Sequence, residues 1–350
     1  MQKIKNLFII KVSKNRALVK APLEVTSMAD QNQLLIQAMT YDHPEMLPVS
    51  VGFLPAAWIK YGQELMRIAK EYPDLLPNLP DLDHLDDFIP SSYHIGSFTD
   101  EWGCVWSNLE EGMESIVTGH PIPNREDIRT LEIPKDRNGH IPHGFMYLRL
   151  LDLRGFEEAM IDFAEECDEL QMLIDKVVEY NLIQIDVIKP QKGQVMYFGD
   201  DLGMQKGLAI GPEKWRKYMK PAFAKIYAKA RSYGPYIYMH TDGMVYEIMP
   251  DLKECGVDMI NPQFRANGLS NLVRVCKGKI PINLDLDRQL FPFATPSQLD
   301  DHVREAVEAL YLPEGGLGLN VELNHDVPLE NMVALLDAVR KYRTYSRLKI

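Results

Sequence analysis

The sequence predicts a single closed (β/α)8 barrel (TIM barrel), and three features of the chain lead to this prediction. Short apolar runs alternate with longer segments of helical periodicity from residue 47 to residue 342. About eight such runs occur, and single helices between them indicate parallel βα units. No Gly/Ser linker divides the 350 residues, and neither GxGxxG nor GxxxxGK[ST] occurs, which disfavours an open nucleotide-binding sheet.

The predicted strands are apolar runs that are each short enough to be buried on both faces of a parallel sheet. The last four are the most regularly spaced, because each is separated from the next by one helical segment. The strands are predicted over residues 47–53, 89–98, 145–153, 194–199, 236–239, 258–261, 280–285 and 316–323.

The predicted helices show apolar residues at a spacing of three and four. One follows the first strand through Trp58 and Leu65 and is stopped by Pro73. Another opens at Gly211 and Pro212, which suits the first turn of a helix. Later helices are predicted over residues 245–254, 269–276, 296–310 and 329–342.

Two stretches do not fit the repeating pattern. We interpret residues 1–45 as an N-terminal extension and residues 103–144 as an insertion over the barrel mouth. Residues 1–350 are therefore predicted to form one barrel domain with these two additions.

Composition excludes several classes of function. The chain has 38 basic and 50 acidic residues, a net charge of −12, which disfavours binding to nucleic acid or to an anionic membrane. No apolar run is long enough to span a bilayer, and no signal-like segment begins the chain. The four cysteines form no CxxC pair, which is typical of reduced thiols. We expect a cytoplasmic enzyme.

In a barrel of this type, the reacting residues lie at the carboxyl ends of the strands. Asp200, His240 and Glu322 come from the carboxyl ends of strands four, five and eight, and we predict that they point into one pocket as candidate catalytic residues. Crowded carboxylates either raise one another's pKa or recruit a cation, and both outcomes serve catalysis. The candidate substrate-binding residues are Tyr93, Glu101, Tyr147, Arg149, Asp201, Gln263 and Asp285.

Each of these motifs also has a purely structural interpretation. Asp242 in the HTDG motif is in a position to cap the following helix, and the Asp200–Asp201 pair is in a position to cap a turn before Gly203. Asp285 and Asp287 alternate along a predicted strand, so either both face the barrel mouth or one of them pairs with a lysine. The remaining histidines are interpreted as surface residues: His43, His84, His120, His140, His143 and His302.

The order of motifs in the chain resembles the uroporphyrinogen decarboxylase superfamily, which joins the decarboxylase to cobalamin-linked methyltransferases. The resemblance covers roughly residues 40 to 345 and is clearest in the C-terminal half. Two further segments, 72–75 (YPDL) and 100–106 (DEWGCVW), are similar to the methyltransferase-like branch. The main motifs are 198–205 (FGDDLGMQ), 210–215 (IGPEKW), 220–221 (KP), 240–243 (HTDG), 254–258 (ECGVD), 261–263 (NPQ) and 327–331 (VPLEN).

The resemblance implies a (β/α)8 barrel whose site lies at the strand carboxyl ends. The arginine-rich N-terminal signature of the true decarboxylase is missing from residues 53–72. The methyltransferase branch holds zinc with an HxC motif on strand five and a cysteine near strand eight. This chain keeps His240, has Asp242 in place of the cysteine, and offers Glu322 and His325 near strand eight. These four residues are the predicted zinc ligands; the alternative is that Asp242 caps its helix and His325 bonds a loop, without metal.

The resemblance therefore implies a metal-assisted methyltransferase that moves a methyl group from a small-molecule donor to a corrinoid on a partner protein. Zinc would supply a Lewis acid against a poor leaving group. Two alternatives stay open: a decarboxylase (lyase) acting on a carboxylated substrate, and a non-catalytic relative that binds a small molecule.

Overall fold

The structure, a computed structural model, describes residues 28–345 and has an α/β fold. Six parallel strands form a curled sheet, and three antiparallel strands form a second, smaller sheet. The strands in the described part of the chain are β1 (Val49–Phe53), β2 (Gly96–Thr99), β3 (Val105–Asn108), β4 (Ile116–Gly119), β5 (Val195–Gly199), β6 (Tyr236–Thr241), β7 (Met259–Pro262), β8 (Ile282–Asp285) and β9 (Leu317–Leu323).

Helices connect the strands of the parallel sheet and cover its outer face. None of those described is both long enough and apolar enough to cross a membrane. The helices are α1 (Met28–Thr40), α2 (Pro55–Ala69), α3 (Leu85–Phe88), α4 (Tyr147–Arg154), α5 (Phe156–Glu165), α6 (Asp168–Ile188), α7 (Gly211–Lys214), α8 (Lys220–Arg231), α9 (Met249–Glu254), α10 (Phe264–Asn267), α11 (Leu269–Cys276), α12 (Pro296–Leu310) and α13 (Leu329–Tyr342).

The strand order of the parallel sheet is β1-β9-β8-β7-β6-β5, so consecutive strands from β5 to β9 are neighbours. Six of the eight predicted strands are confirmed, as is the α/β class. Within the described residues, β1 and β5 are the two ends of this sheet, and the closed eight-stranded barrel stays a prediction.

The predicted third strand, 145–153, is wrong because these residues lie mainly in helix α4. An apolar run of this length does not by itself distinguish a buried strand from a buried helix. The buried carboxylate of Asp200 accepts backbone N–H groups from Met146, Tyr147 and Leu148, at 3.1, 2.5 and 2.9 Å. These contacts satisfy donors that the first turn of a helix leaves free, so the helix is stabilised from a distant strand.

The predicted second strand, 89–98, is also wrong as a strand of the parallel sheet. Residues Ser91–Tyr93 form a 3-10 turn, and β2 begins only at Gly96. β2 pairs with β3 in the antiparallel sheet, most of which lies in the predicted insertion 103–144. Residue Gly112 of that insertion accepts a hydrogen bond from Ala56, which places it over the start of α2.

The described part of the predicted N-terminal extension is largely helix α1. Leu35, Ala38 and Met39 of α1 pack against Tyr238 and Met259, near the amino ends of β6 and β7. This end of the sheet is opposite the carboxyl ends where the candidate site lies. Residues 1–27 of the extension lie outside the described residues, and the one-domain organisation stays a prediction.

His302 on α12 is buried, at 7% exposure, so its interpretation as a surface residue is wrong. Its Nε2 accepts the backbone N–H of Asp287 at 3.1 Å, and its ring packs edge-on against Phe264. This contact ties α12 to the loop after β8. Burial lowers the pKa of His302 from 6.5 to about 4, because the charged imidazolium is poorly solvated there.

We expect the free energy of unfolding to fall as the pH falls from 6.5 towards 4. In that range the unfolded chain takes up a proton at residue 302 that the folded protein rejects, which costs about 2 kcal/mol at pH 5. Urea unfolding at pH 7 and pH 5 measures the loss. The His302→Gln variant keeps an acceptor but cannot titrate, so its loss is expected to be smaller. Equal losses in both proteins would contradict this assignment.

Candidate active site

A cavity of ≈ 370 Å³ lies at the carboxyl ends of β6 to β9. These strand ends meet at one edge of the parallel sheet, which is the usual site of chemistry in such folds. The cavity brings together four of the residues named from the sequence: Asp242, Gln263, Asp285 and Glu322. Its other polar lining residues include Arg265, Asp287, Arg288, Asn324 and Asp326.

Arg288 holds three of the cavity carboxylates together. Its guanidinium donates to Glu322, to Asp242 Oδ1 at 3.1 Å, and lies 3.2 Å from Asp285 Oδ2. The planar fork of an arginine suits several carboxylates at once. Burial raises the pKa of Asp285 to about 6, and Arg288 opposes that rise. The cation beside Asp285 is thus Arg288, whereas the structural alternative predicted from the sequence was a lysine.

The second arginine of the cavity is also paired. Arg265 binds Asp287 through Nε at 2.8 and 2.9 Å and through a terminal nitrogen at 2.7 Å. Both arginines of the cavity lining thus have carboxylate partners within the protein. Neither presents an unpaired charge to a carboxylate of a substrate.

His240 stands at the end of β6, beside this cavity. Its Nδ1 lies 2.7 Å from Asn261 Oδ1, and its Nε2 lies 3.3 Å from Asp242 Oδ1. Burial disfavours the charged imidazolium, but the hydrogen bond and charge of Asp242 outweigh this effect and raise the pKa of His240 to about 9. A metal ion at this residue would therefore displace a proton.

His240 belongs to a cluster of three potential metal ligands, two imidazoles and one carboxylate. Ligand atoms of His143, Asp201 and His240 all lie within 4.8 Å of one another. His143 Nε2 is 3.3 Å from Asp201 Oδ1, and the two imidazole rings are 5.7 Å apart. Burial lowers the pKa of His143, but the Asp201 carboxylate more than compensates and raises it.

Two glycines of the motifs allow this close approach. A Cβ on Gly199 would lie 2.5 Å from His143 Nδ1, so any side chain there would push His143 away. A Cβ on Gly243 would lie 2.1 Å from the backbone of Gly203, which brings the loops after β5 and β6 into contact. The loops are also joined by the backbone N–H of Asp242, which donates to Asp201 at 3.2 Å.

The four predicted zinc ligands do not come together as one metal site in the structure. Asp242 and Glu322 both bind Arg288, whose charge satisfies them. His325 bonds the side chain of its neighbour Asn324 and faces Glu110 at 3.7 Å. Among residues 28–345, no three of the four predicted ligands bring their ligand atoms within 4.8 Å of one another. Only His240 is shared between the predicted set and the observed cluster.

Several other predicted site residues lie away from the cavity. Asp200 is fully buried beneath α4, and so it does not share a pocket with Glu322. Tyr147 packs against Phe163 in the core. Two further predicted substrate-binding residues also form contacts outside the cavity. Arg149 donates to Asp100 at 2.6 Å, and Glu101 accepts from Tyr180 at 3.3 Å.

The insertion and the segment that precedes it contribute one ionisable group each near the site, Glu114 and Tyr93. Burial raises the pKa of Tyr93 to about 12, and the charges of Glu114 and Glu322 add to the rise. Crowding by protein atoms, and the charges of Asp201 and Glu322, likewise raise the pKa of Glu114. Tyr93, a predicted substrate-binding residue, thus lies close enough to Glu322 to feel its charge.

His143, Arg288 and Glu114 are site residues that the sequence does not predict. The turn-forming neighbours of His143 are typical of a surface position. Its side chain is 38% exposed, but it points to Asp201 and His240. The one sequence feature that points to this contact is Gly199 at the end of β5.

A family model described as uroporphyrinogen decarboxylase (URO-D) matches residues 151–342, which is more than half of the chain. The chain belongs to the uroporphyrinogen decarboxylase family. The resemblance found in the sequence is therefore confirmed. No curated protein sequence is significantly similar to this chain.

The structure of this family member is also similar to a solved one, a methyltransferase from Methanosarcina mazei. The TM-score is 0.62 at 16% sequence identity, and the match covers 89% of this chain and 98% of the other. At this identity the likeness establishes a shared fold.

Proposed function

We propose that this protein is a metal-assisted methyltransferase that moves a methyl group from a small substrate to a corrinoid carried on a partner protein. The observation that carries the proposal is the cluster of His143, Asp201 and His240. Two imidazoles and one carboxylate form a donor set of the kind that holds catalytic zinc and leaves a position for substrate. The shared fold with a methyltransferase agrees with this proposal. The complete (β/α)8 barrel that the family resemblance implies is part of the proposal.

The paired arginines disfavour the decarboxylase alternative. A substrate with several carboxylates needs unpaired cations, whereas Arg288 and Arg265 are bound to carboxylates of the protein. Five acidic residues line the cavity against these two arginines. Such a lining suits a neutral or cationic methyl donor better than a polyacid.

In this mechanism, bound zinc would act as a Lewis acid on the methyl donor, where it would stabilise the group that the methyl leaves behind. His143, Asp201 and His240 would hold it. Arg288 fixes Asp242 and Glu322 at the cavity wall, where they orient the donor. Asp200, predicted as catalytic, instead positions the start of α4 and with it the adjacent His143. The four free cysteines support a reducing, cytoplasmic location.

Metal analysis and a methyl-transfer assay test the proposal. Protein purified without chelators and supplemented with zinc is expected to bind one equivalent. It should then methylate reduced cobalamin with a methyl ether, amine or thioether, as followed by the visible spectrum of methylcobalamin. His143→Ala is expected to lower the rate by more than the roughly 10- to 100-fold that removal of an outer-sphere partner costs, because it removes a metal ligand itself.

His325→Ala serves as the matched control and is expected to keep both zinc and activity. Zinc-independent release of CO2 from a carboxylated porphyrinogen, without methyl transfer, would instead establish the lyase alternative. Binding of such compounds without any reaction would favour the non-catalytic relative.

A further inference from the structure

We propose that Asn261 is a positioning residue that fixes the imidazole of His240 with its Nε2 towards the metal cluster. This inference rests on the proposed function, because it concerns how one metal ligand is held. Asn261 lies on β7 directly opposite His240 on β6, as its partner in the parallel sheet. It is 4% exposed, so its side chain is enclosed by the protein.

The orientation of the Asn261 amide follows from its second contact. Its Nδ2 donates to the backbone carbonyl of Asn283 at 2.6 Å. The reversed amide would set Oδ1 against that carbonyl, two acceptors in contact, which is unfavourable. Asn261 Oδ1 is therefore the atom that faces His240.

This orientation determines the protonation of the ring. An amide oxygen only accepts hydrogen bonds, so His240 Nδ1, at 2.7 Å, must carry the hydrogen. In the neutral ring the lone pair is then on Nε2, the atom next to Asp242. In metal-bound histidines, the acceptor that bonds the ring nitrogen not facing the metal normally fixes both the tautomer and the orientation of the ring.

Zinc affinity tests the energetic consequence. Competition with a chromophoric chelator should show zinc bound about 10- to 100-fold more weakly by Asn261→Leu than by the wild type. Leucine has a similar volume but no acceptor. The matched control is Asn283→Ala, which removes a buried amide from the neighbouring strand but keeps the backbone carbonyl that Asn261 uses. The control is expected to bind zinc as tightly as the wild type.

Nitrogen-15 NMR of histidine-labelled, metal-free protein reads the tautomer directly, at a pH above the pKa of His240. The wild type is expected to carry hydrogen on Nδ1 of His240, and Asn261→Leu is expected to show a mixture of tautomers. A purely structural role of Asn261 would leave this signature unchanged.

Hydrogen on Nε2 in the wild type would overturn the inference, even if the Asn261→Leu variant does not fold. So would an unchanged tautomer in a folded variant. If the wild type shows hydrogen on Nδ1 but binds no zinc, the metal proposal fails while the role of Asn261 in orienting His240 stands.

Discussion

Replacing His240 with alanine is expected to abolish stoichiometric zinc binding and to leave the fold intact. The imidazole supplies one of three ligands in the cluster with His143 and Asp201, and the two remaining ligands would hold zinc weakly. The loss of affinity should exceed the roughly 10- to 100-fold that removal of an outer-sphere partner costs. Metal analysis after dialysis measures the zinc, and circular dichroism checks the fold.

Two companion variants distinguish the observed cluster from the ligand set predicted from the sequence. If the cluster binds the metal, His143→Ala loses zinc and His325→Ala retains it. The opposite pattern would restore the set of His240, Asp242, Glu322 and His325. Zinc retained at one equivalent by His240→Ala would remove the metal site from both arrangements.

The repeating half of the fold was predictable because its pattern is local. From β5 to β9 each apolar run is followed by its own helix, and each predicted strand lies within two residues of the observed one. The failures at 89–98 and 145–153 have a different cause. Helix α4 is capped by Asp200, a residue from the end of a distant strand, and no property of residues 145–153 reveals that partner.

The candidate site was predictable to a similar extent. The rule that strand carboxyl ends converge brought Asp242, Gln263, Asp285 and Glu322 to one cavity. The rule does not say which charges neutralise one another. His143 precedes helix α4, which the sequence predicts as a strand. Arg288 follows the end of β8, and no local pattern there indicates that it pairs with three carboxylates.

Arg288→Met is the substitution with the largest expected effect on stability. It leaves Asp242, Asp285 and Glu322 without their shared counterion, and the Asp285 side chain is only 2% exposed. Removing one partner from a buried ion pair costs about 3 to 5 kcal/mol. Because the side chain of Arg288 is 31% exposed, we expect the lower end, about 3 kcal/mol at pH 8 by urea unfolding.

Arg288→Met destabilises the protein because it leaves the negative charge of the cavity carboxylates uncompensated. Two further results are expected from this cause. The loss should shrink at pH 5, because burial raises the pKa of Asp285 and, without the opposing charge of Arg288, this carboxyl takes up a proton in that range. Adding Asp285→Asn should recover part of the loss for the same reason. Arg304→Met is the control, since Arg304 forms ion pairs with Asp301 and Glu308 on the exposed face of α12 and should leave stability nearly unchanged. A loss at Arg288 no larger than at Arg304, or one that is independent of pH, would show that the guanidinium does not hold the cavity carboxylates together.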